Sequence, residues 1–206
     1  MSTERRNEIR SRGLRVLLSN HPRVRRLKRE YYPSFHGNKL WSSSWLLMDF
    51  LGRRGLPKKN RVMEIGCGWG LLGMYCAKRF QARVTCVDID PDVFPFLELH
   101  AEVNKVKLMT MKGAIGGLSR DQLKGIDTIV GADICFWENM VLALKRLINR
   151  ALRMGVKRIY IADPGRSTFE ELEDYYQDKN LGEALYWKVH YPRPIEGRIL
   201  KIEVPK

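Results

Sequence analysis

The sequence predicts an α/β fold: a doubly wound, mostly parallel seven-stranded sheet with an antiparallel C-terminal strand. Three observations predict it. Short apolar, β-branched runs alternate with stretches of helical periodicity, as in repeated strand–helix units. A glycine-rich turn at residues 66–70 follows the first such run. Acidic residues, Asp88, Asp133 and Asp163, end three of the runs, at the edge of the sheet where doubly wound folds bind ligands.

The front of the chain is predicted to be a basic helical arm over residues 1–36, ahead of one domain over residues 37–206. Residues 1–30 carry ten Lys or Arg and three Glu. Their apolar residues form only a partial helical stripe, so we expect one or two basic helices broken near Pro22. Such an arm is either solvated or docks an acidic or nucleic-acid partner.

The remaining elements follow from periodicity and capping signals. Serines at residues 42–44 can cap a helix that is predicted from about residue 45 to residue 54. Ser167 and Glu170 predict a capping box. Parallel strands are expected near residues 62–63, 84–87, 107–111, 127–132 and 158–162, with helices over 71–80, 94–104, 137–153 and 167–177. Alternating residues predict a final antiparallel pair over 184–191 and 198–204.

Glu64 to Asp88 has the order strand, glycine turn, helix, strand and acidic residue, which is one βαβ unit. Glycines supply the positive φ angles of a tight turn, and their missing Cβ atoms let the backbone approach a ligand. Asp88 lies about 20 residues after the turn, where a carboxylate accepts hydrogen bonds from ribose hydroxyls. The unit predicts a site for a cofactor that carries a nucleoside.

Two cofactors compete for this unit. Dinucleotide sites usually have G-x-G-x-x-G, whereas the glycines here stand at 66, 68 and 70, one residue tighter. Glu64 would repel a pyrophosphate but suits the cationic amino-acid end of S-adenosylmethionine (SAM). We therefore expect SAM rather than NAD. A glycine cluster that serves only the turn, with no ligand, is a third interpretation.

Four short stretches carry a resemblance to a known family. They are GxxxW at residues 37–41, ExGxGxG at 64–70, GADICF at 131–136 and DPGR at 163–166. The glycine motif with its later acid resembles class I SAM-dependent methyltransferases. Together with the first and third stretches it resembles the family-16 methyltransferases, many of which methylate lysines on specific proteins. The DPGR stretch is similar to the branch that includes the electron-transfer-flavoprotein β-subunit lysine methyltransferases.

The resemblance implies roles for the cofactor residues. Glu64 would face the methionine end of SAM, directly or through water, and Asp88 would bind the ribose hydroxyls. Ile89 would cover adenine, and Trp41 would close over the site or pack in the core. Trp69 and Trp137 are expected near the mouth, as site or packing residues. The predicted cofactor set is Trp41, Glu64, Gly66, Cys67, Gly68, Gly70, Asp88, Ile89, Ala114, Ile115 and Ala132.

Asp133 and Phe136 are the predicted catalytic residues. The family usually has D-x-x-Y after the fourth strand, and this chain has Asp133-Ile134-Cys135-Phe136. The resemblance implies that Asp133 orients the acceptor amine, while Phe136 keeps an aromatic wall but lacks the hydroxyl. A carboxylate raises an amine's pKa, so Asp133 is assigned to orientation and not to deprotonation alone. A cap or turn at the strand end would equally account for an aspartate at position 133.

The net charge of +14 allows acidic proteins, nucleic acid or an anionic membrane surface as partners. We expect a protein substrate in preference to RNA, because the N/D-P-P-Y/F signature of nucleobase amino-group methylation is absent after the fourth strand. A small-molecule acceptor is also compatible with the motifs, and so is a SAM-binding module without catalytic activity. The basic arm is a candidate site for an acidic partner.

Cysteine, histidine and hydropathy patterns complete the expectations. The four cysteines form no C-x-x-C pair and the four histidines form no cluster at ligand spacing, so we expect reduced thiols and no metal. No apolar run approaches the ~20 residues of a membrane span. The N-terminus lacks a secretory pattern. A cytoplasmic protein is expected. The sequence does not indicate the oligomeric state.

Overall fold

A central sheet organises the structure, a computed structural model that describes residues 3–5, 7–33 and 37–204. The strands are β1 (Thr3–Arg5), β2 (Glu8–Ser11), β3 (Leu14–Leu17), β4 (Arg61–Ile65), β5 (Arg83–Asp88), β6 (Met109–Lys112), β7 (Thr128–Ala132), β8 (Arg158–Asp163), β9 (Glu183–Val189) and β10 (Ile195–Glu203). The α-helices are α1 (Pro22–Glu30), α2 (Ser43–Arg54), α3 (Leu71–Phe80), α4 (Phe94–Asn104), α5 (Arg120–Leu123), α6 (Glu138–Arg153) and α7 (Ser167–Asp178).

Strands β4 to β10 form one seven-stranded sheet in the order β6-β5-β4-β7-β8-β10-β9. The first five strands of that order are parallel, and β10 runs antiparallel to both β8 and β9. The predicted doubly wound, mostly parallel sheet is therefore confirmed. Because β4 pairs with both β5 and β7, the strand order reverses at β4, and a crevice opens at the carboxyl ends of these strands.

Helices cover both faces of this sheet. Leu47 of α2 and Leu72 of α3 are buried on one face, in the same apolar cluster as Val62. Leu144 of α6 is buried on the other face, in the cluster that contains Met63. Val62 and Met63 are neighbours in β4 and point to opposite faces, as consecutive strand residues do. The sheet is thus buried on both sides, and its ligand-binding surface is confined to its edges.

Two helix starts differ from the expected capping. Helix α7 begins at Ser167 with Arg166 as its N-cap residue, and no side chain caps it. The Thr168 hydroxyl donates to the carbonyl of Cys135 at 2.5 Å instead, so the predicted capping box is wrong. A capping box does occur at α5, between Ser119 and Gln122, where none was predicted.

The N-terminal segment is not the helical arm that the sequence predicted. Strands β1, β2 and β3 form a three-stranded antiparallel sheet, and only α1 is helical. The apolar pattern here has a period of two, since Leu14 and Val16 are buried and Arg15 between them is exposed. Arg12 (φ 52°) and Gly13 (φ 79°) make the two-residue turn between β2 and β3, which positive φ angles favour.

This small sheet docks on α4. The Asn104 side chain accepts from the backbone N–H of Arg15 at 2.8 Å and donates to its carbonyl at 2.7 Å. One turn earlier, His100 accepts from the N–H of Leu17 through Nε2 at 3.1 Å and donates to the Phe96 carbonyl through Nδ1 at 2.7 Å. Burial lowers the pKa of His100, which favours the neutral ring that this bonding requires. The expectation of a solvated arm is wrong for β3.

The predicted boundary between residues 36 and 37 stays a prediction. Residues 34–36 of the loop before α2 lie outside the described residues, as do residues 1, 2, 6, 205 and 206. Across the described part of the chain, no helix combines the length and the apolar composition that a bilayer crossing needs. The expected cytoplasmic location remains a prediction.

Replacing Asn104 with alanine should weaken the docking of β3. Asn104→Ala removes the side chain that satisfies both backbone groups of Arg15, so we expect the free energy of unfolding to fall by about 1–3 kcal/mol. Urea denaturation of both proteins measures the difference. Glu98→Ala on the solvent side of α4 is the matched control and should change it by less than about 0.5 kcal/mol. Equal stability of the Asn104 variant and the wild type would contradict the docking role.

Candidate functional site

The glycine turn between β4 and α3 gives the site its backbone wall. Gly66 has φ 58° and Gly68 has φ 49°, values that residues with side chains rarely adopt. A Cβ atom on Gly66 would lie 2.5 Å from Cγ2 of Ile134, whereas a Cβ atom on Gly68 would meet nothing within 4 Å. Gly66 is therefore required by packing, and the backbone at Gly68 is open to an approaching ligand.

A cavity of 310 Å³ lies between this turn and the start of α2. Most predicted site residues line it: Trp41, Glu64, Gly66, Cys67, Gly68, Asp88, Ile89, Ile115, Ala132, Asp133 and Phe136. Gly70 and Ala114 are not among the lining residues, because Leu97 covers Gly70 and Ala114 faces solvent. The lining also includes Gly37 and Ile134, which belong to the GxxxW and GADICF stretches, and Trp69 and Trp137, which were expected near the mouth. The sequence did not single out the other lining residues, which are Lys39, Leu40, Ser44, Leu71, Asn139 and Met140.

Glu64 anchors the helix that follows the turn. Its two carboxylate oxygens accept from the backbone N–H groups of Leu72 at 3.2 Å and Gly73 at 2.8 Å. A negative charge is favourable at this end of a helix. Burial nevertheless raises the pKa of Glu64 to about 7. Glu64 therefore holds α3 against β4 and lines the cavity, while its contact with the methionine end of SAM stays a prediction.

Asp88 lies at the carboxyl end of β5, beside the turn. Its Oδ2 accepts from the N–H of Gly68 at 2.9 Å and its Oδ1 accepts from the N–H of Asp90 at 3.1 Å. These two bonds fix the carboxylate, and each oxygen keeps a lone pair for a ligand hydroxyl. Burial raises the pKa of Asp88. The next side chain, Ile89, is 46% exposed where it lines the cavity, a suitable apolar surface for a flat base.

Asp133 joins the end of β7 to the start of α2. Its Oδ2 accepts from the N–H of Ser43 at 2.8 Å, and its Oδ1 lies 3.2 Å from Nη2 of Arg166. Asp133 therefore caps α2, and Ser42 at the N-cap position makes no capping bond with its side chain. The structural role expected as an alternative for Asp133, a cap at a strand end, is thus present. Asp133 also lines the cavity, and its contact with a substrate amine stays a prediction.

Arg166 contacts two predicted site residues, Asp133 and Phe136, although the sequence predicted no role for it. Its side chain pairs with Asp133 and with the buried Asp163, whose Oδ2 accepts from Nη1 at 2.5 Å. The guanidinium carbon also lies 4.2 Å from the centroid of the Phe136 ring. The signal for it was the DPGR stretch at the same edge of the sheet as Asp133. Arg166 places a positive charge between the two carboxylates at this end of the cavity.

Aromatic rings form the cavity wall near Asp133. The centroids of Trp41 and Phe136 are 5.0 Å apart in an edge-on arrangement, and those of Phe136 and Trp137 are 5.7 Å apart. The Nζ atom of Lys39 lies 4.0 Å from the Trp41 ring centroid. Lys39 and Arg166 thus already lie over ring faces of this wall, as cations near aromatic rings commonly do.

Trp69 connects the loop before α2 to the glycine turn. Its indole N–H donates to the carbonyl of Gly37 at 2.9 Å, and its ring stacks on Phe96 with centroids 5.1 Å apart. His100 stacks on it at 5.4 Å. Trp69 therefore serves packing and also holds Gly37 at the mouth of the cavity.

The cysteines are buried and the described residues form no metal site. All four thiols are free, and burial raises the pKa of Cys67, which lines the cavity, to about 11. Among the residues that the structure describes, no group of three or more His, Cys, Asp or Glu side chains is arranged to hold a metal ion. That the protein needs no metal remains a prediction.

Comparison with known proteins gives the family. The model of the family-16 methyltransferases, described as lysine methyltransferases, matches residues 26–176. An electron transfer flavoprotein β-subunit lysine methyltransferase from Xenopus laevis is 25% identical over 154 residues, which cover 70% of this chain and 59% of the relative. The protein-lysine N-methyltransferase EFM3 from Chaetomium thermophilum is 30% identical over 150 residues, 65% of this chain and 45% of the relative. The chain thus spans about half the length of these relatives.

A solved structure shares the fold. The Pyrococcus abyssi tRNA (uracil-54, C5)-methyltransferase, determined in complex with S-adenosyl-L-homocysteine, superposes with a TM-score of 0.55 at 18% identity. The superposition covers 78% of this chain and 38% of that one. The family match spans most of the chain and includes the glycine turn, Asp88, Asp133 and Arg166, so the resemblance seen in the sequence is confirmed. The chain belongs to the family-16 methyltransferases, the lysine methyltransferases.

Proposed function

We propose that this chain uses SAM to methylate the side-chain amine of a lysine on a protein. One observation carries the proposal: a single cavity joins the turn and carboxylate of a nucleoside site, at Gly68 and Asp88, to an aromatic wall beside Asp133. Membership of the family and the lysine substrates in the names of the relatives support the same acceptor. Because the chain matches only about half of each relative, the identity of the acceptor protein does not carry over.

The residues at the nucleoside end fit SAM. The open backbone at Gly68 would let the cofactor approach the glycine turn closely. The free lone pairs of Asp88 would accept hydrogen bonds from the ribose hydroxyls, and the exposed apolar surface of Ile89 would lie against the adenine. Asp133 lines the cavity beside its partner Arg166, and Glu64, whose pKa burial raises to about 7, adds a carboxyl group near the place of a cationic ligand. When bound, SAM supplies a methyl group on a sulfonium for in-line displacement, so the protein's task is mainly to align the two reactants.

Asp133 and Arg166 set the electrostatics for the acceptor amine. A lysine ammonium has no lone pair and must lose its proton before it attacks the methyl group. A lone carboxylate would raise the amine's pKa and oppose that loss, whereas burial against aromatic rings lowers it. Since Arg166 lies 3.2 Å from Asp133, it offsets part of this carboxylate's effect while leaving its oxygens able to accept from the amine. Asp133 thus orients the amine, and because Arg166 is beside it, it raises the pKa of that amine less than a lone carboxylate would.

The acceptor class is tested by labelling. The chain is incubated with methyl-tritiated SAM and a cell lysate, and aliquots are digested with protease or with ribonuclease. We expect the label to resist ribonuclease, to become soluble with protease and to appear as methyllysine after acid hydrolysis. Heat-denatured enzyme is the control. Label that ribonuclease removes and protease leaves would establish RNA as the acceptor and overturn the proposal.

Loss of the Asp88 carboxylate should weaken cofactor binding. Asp88→Ala removes charge-assisted hydrogen bonds to the ribose hydroxyls, each of about 1.5–3 kcal/mol, so we expect the Kd for SAM to rise at least about tenfold. Isothermal titration calorimetry measures it. Asp174→Ala, at an exposed position on α7, removes an equal charge and should leave the Kd within about twofold of wild type. An unchanged Kd in Asp88→Ala would remove Asp88 from the cofactor site.

Asp133→Asn separates catalysis from helix capping. Asparagine keeps an oxygen for the N–H of Ser43 and tolerates the φ of 55° at this position, but it carries no charge. We expect kcat to fall about ten- to a hundredfold with little change in the Kd for SAM. Single-turnover methylation and calorimetry measure the two effects. Wild-type turnover in a folded Asp133→Asn protein would show that this carboxylate only caps α2.

A further inference from the structure

A second groove adjoins the cofactor cavity. It has a volume of 440 Å³ and shares Lys39, Leu40 and Trp41 with the lining of that cavity. Because the Trp41 ring contacts Phe136, with centroids 5.0 Å apart, the groove meets the cavity at its aromatic end. This is the end at which the acceptor amine would enter.

Four segments of the chain contribute the rest of the groove. Ile9 lies in β2, Leu18, Ser19 and Asn20 follow β3, Ser42 and Trp45 lie at the start of α2, and Pro192 and Arg193 lie between β9 and β10. Of these four segments, only the one at the start of α2 lies within residues 26–176, the part that matches the family. Most of the described lining residues of the groove therefore lie outside the stretch that matches the family.

The lining of the groove is positively charged. Among the described lining residues, Lys39 and Arg193 are cationic and none is acidic. Arg193 is exposed, and its Nη2 donates to the hydroxyl of Ser42 at 2.8 Å. Within the described part of the chain no carboxylate forms an ion pair with either cation. Both positive charges therefore face the groove without a described acidic neighbour to neutralise them.

The remaining lining is mostly apolar. Leu18, Leu40 and Trp41 supply aliphatic and aromatic surface, Trp45 is almost fully buried, and Asn20 adds a polar side chain. Apolar walls with a few fixed polar groups are typical of recognition sites. A peptide segment with both apolar and acidic side chains would complement this lining, and a net charge of +14 would speed the approach of such a partner.

We propose that this groove holds an acidic, partly apolar segment of the acceptor protein next to the lysine that is methylated. The inference rests on the proposed function and names the chemistry of its substrate. A carboxylate of the segment would pair with Arg193, its apolar neighbours would lie against Leu18 and Leu40, and the lysine would pass Trp41 into the cavity. The same two cations would disfavour segments with Arg or Lys beside the acceptor.

Peptide binding tests the groove directly. Three fluorescein-labelled peptides carry one lysine and apolar residues, with flanking Glu, Ser or Arg. Their binding to the full chain with S-adenosylhomocysteine is measured by fluorescence anisotropy, alongside labelled oligouridylate. We expect the Glu peptide to bind about tenfold more tightly than the Arg peptide, with the Ser peptide between them.

Two charge reversals provide the matched comparison. Arg193→Glu should abolish the preference for the Glu peptide or reverse it, and Arg193→Lys should restore it. Arg120→Glu makes the same charge change at an exposed site on α5 and should leave the order unchanged. SAM binding by calorimetry should be the same in all these variants, which shows that each is folded.

Three results would overturn the inference. They are equal binding of the three peptides, an unaltered preference in Arg193→Glu, and oligouridylate binding that is tighter than that of the Glu peptide and depends on Arg193. Methyl incorporation into the peptides is measured separately. A Glu preference that depends on Arg193, without methyl transfer to any lysine, would support the groove and contradict the proposed function.

Discussion

The carboxylate of Asp133 is the contact on which the acceptor end of the site depends. It joins three parts of the chain: the end of β7, the first turn of α2 through Ser43, and the start of α7 through Arg166. Through Arg166 it also reaches the ring of Phe136, which contacts Trp41. A buried carboxylate needs such partners because desolvation disfavours its charge. This one carboxylate therefore links the end of β7, the first turn of α2 and, through Arg166, the aromatic wall.

Carboxylates also hold the backbone at the cofactor end of the site, at the start of α3 and at the glycine turn. Glu64 accepts from the first free N–H groups of α3, and Asp88 accepts from the glycine turn itself. Backbone groups that have no partner within the helix are satisfied by carboxylates of neighbouring strands. As a result, the open backbone at Gly68 is held rigidly although it carries no side chain. Two acidic residues, from adjacent strands, position the turn from both sides.

The sequence predicted the central sheet because its strands and helices have strong, separate periodicities. It predicted most of the cavity lining because the glycine turn and the residues that end parallel strands must meet at one edge. It failed at the N-terminus, where the ten basic residues suggested a helix and the shorter alternation at Leu14 and Val16 decided the structure. It also failed for Arg166. Its contact with Asp133 joins residues 33 positions apart, and periodicity carries no information about such pairs.

Strand β10, which runs antiparallel to its neighbours, is needed to complete the central sheet. β10 lies between β8 and β9, and its Arg198 stands opposite Asp163 in the ladder. The family match ends at residue 176, before both β9 and β10. The stretch that matches the family model is therefore smaller than the packed sheet, because excising it would expose the unpaired side of β8 and the face of α2 that packs on β9 and β10.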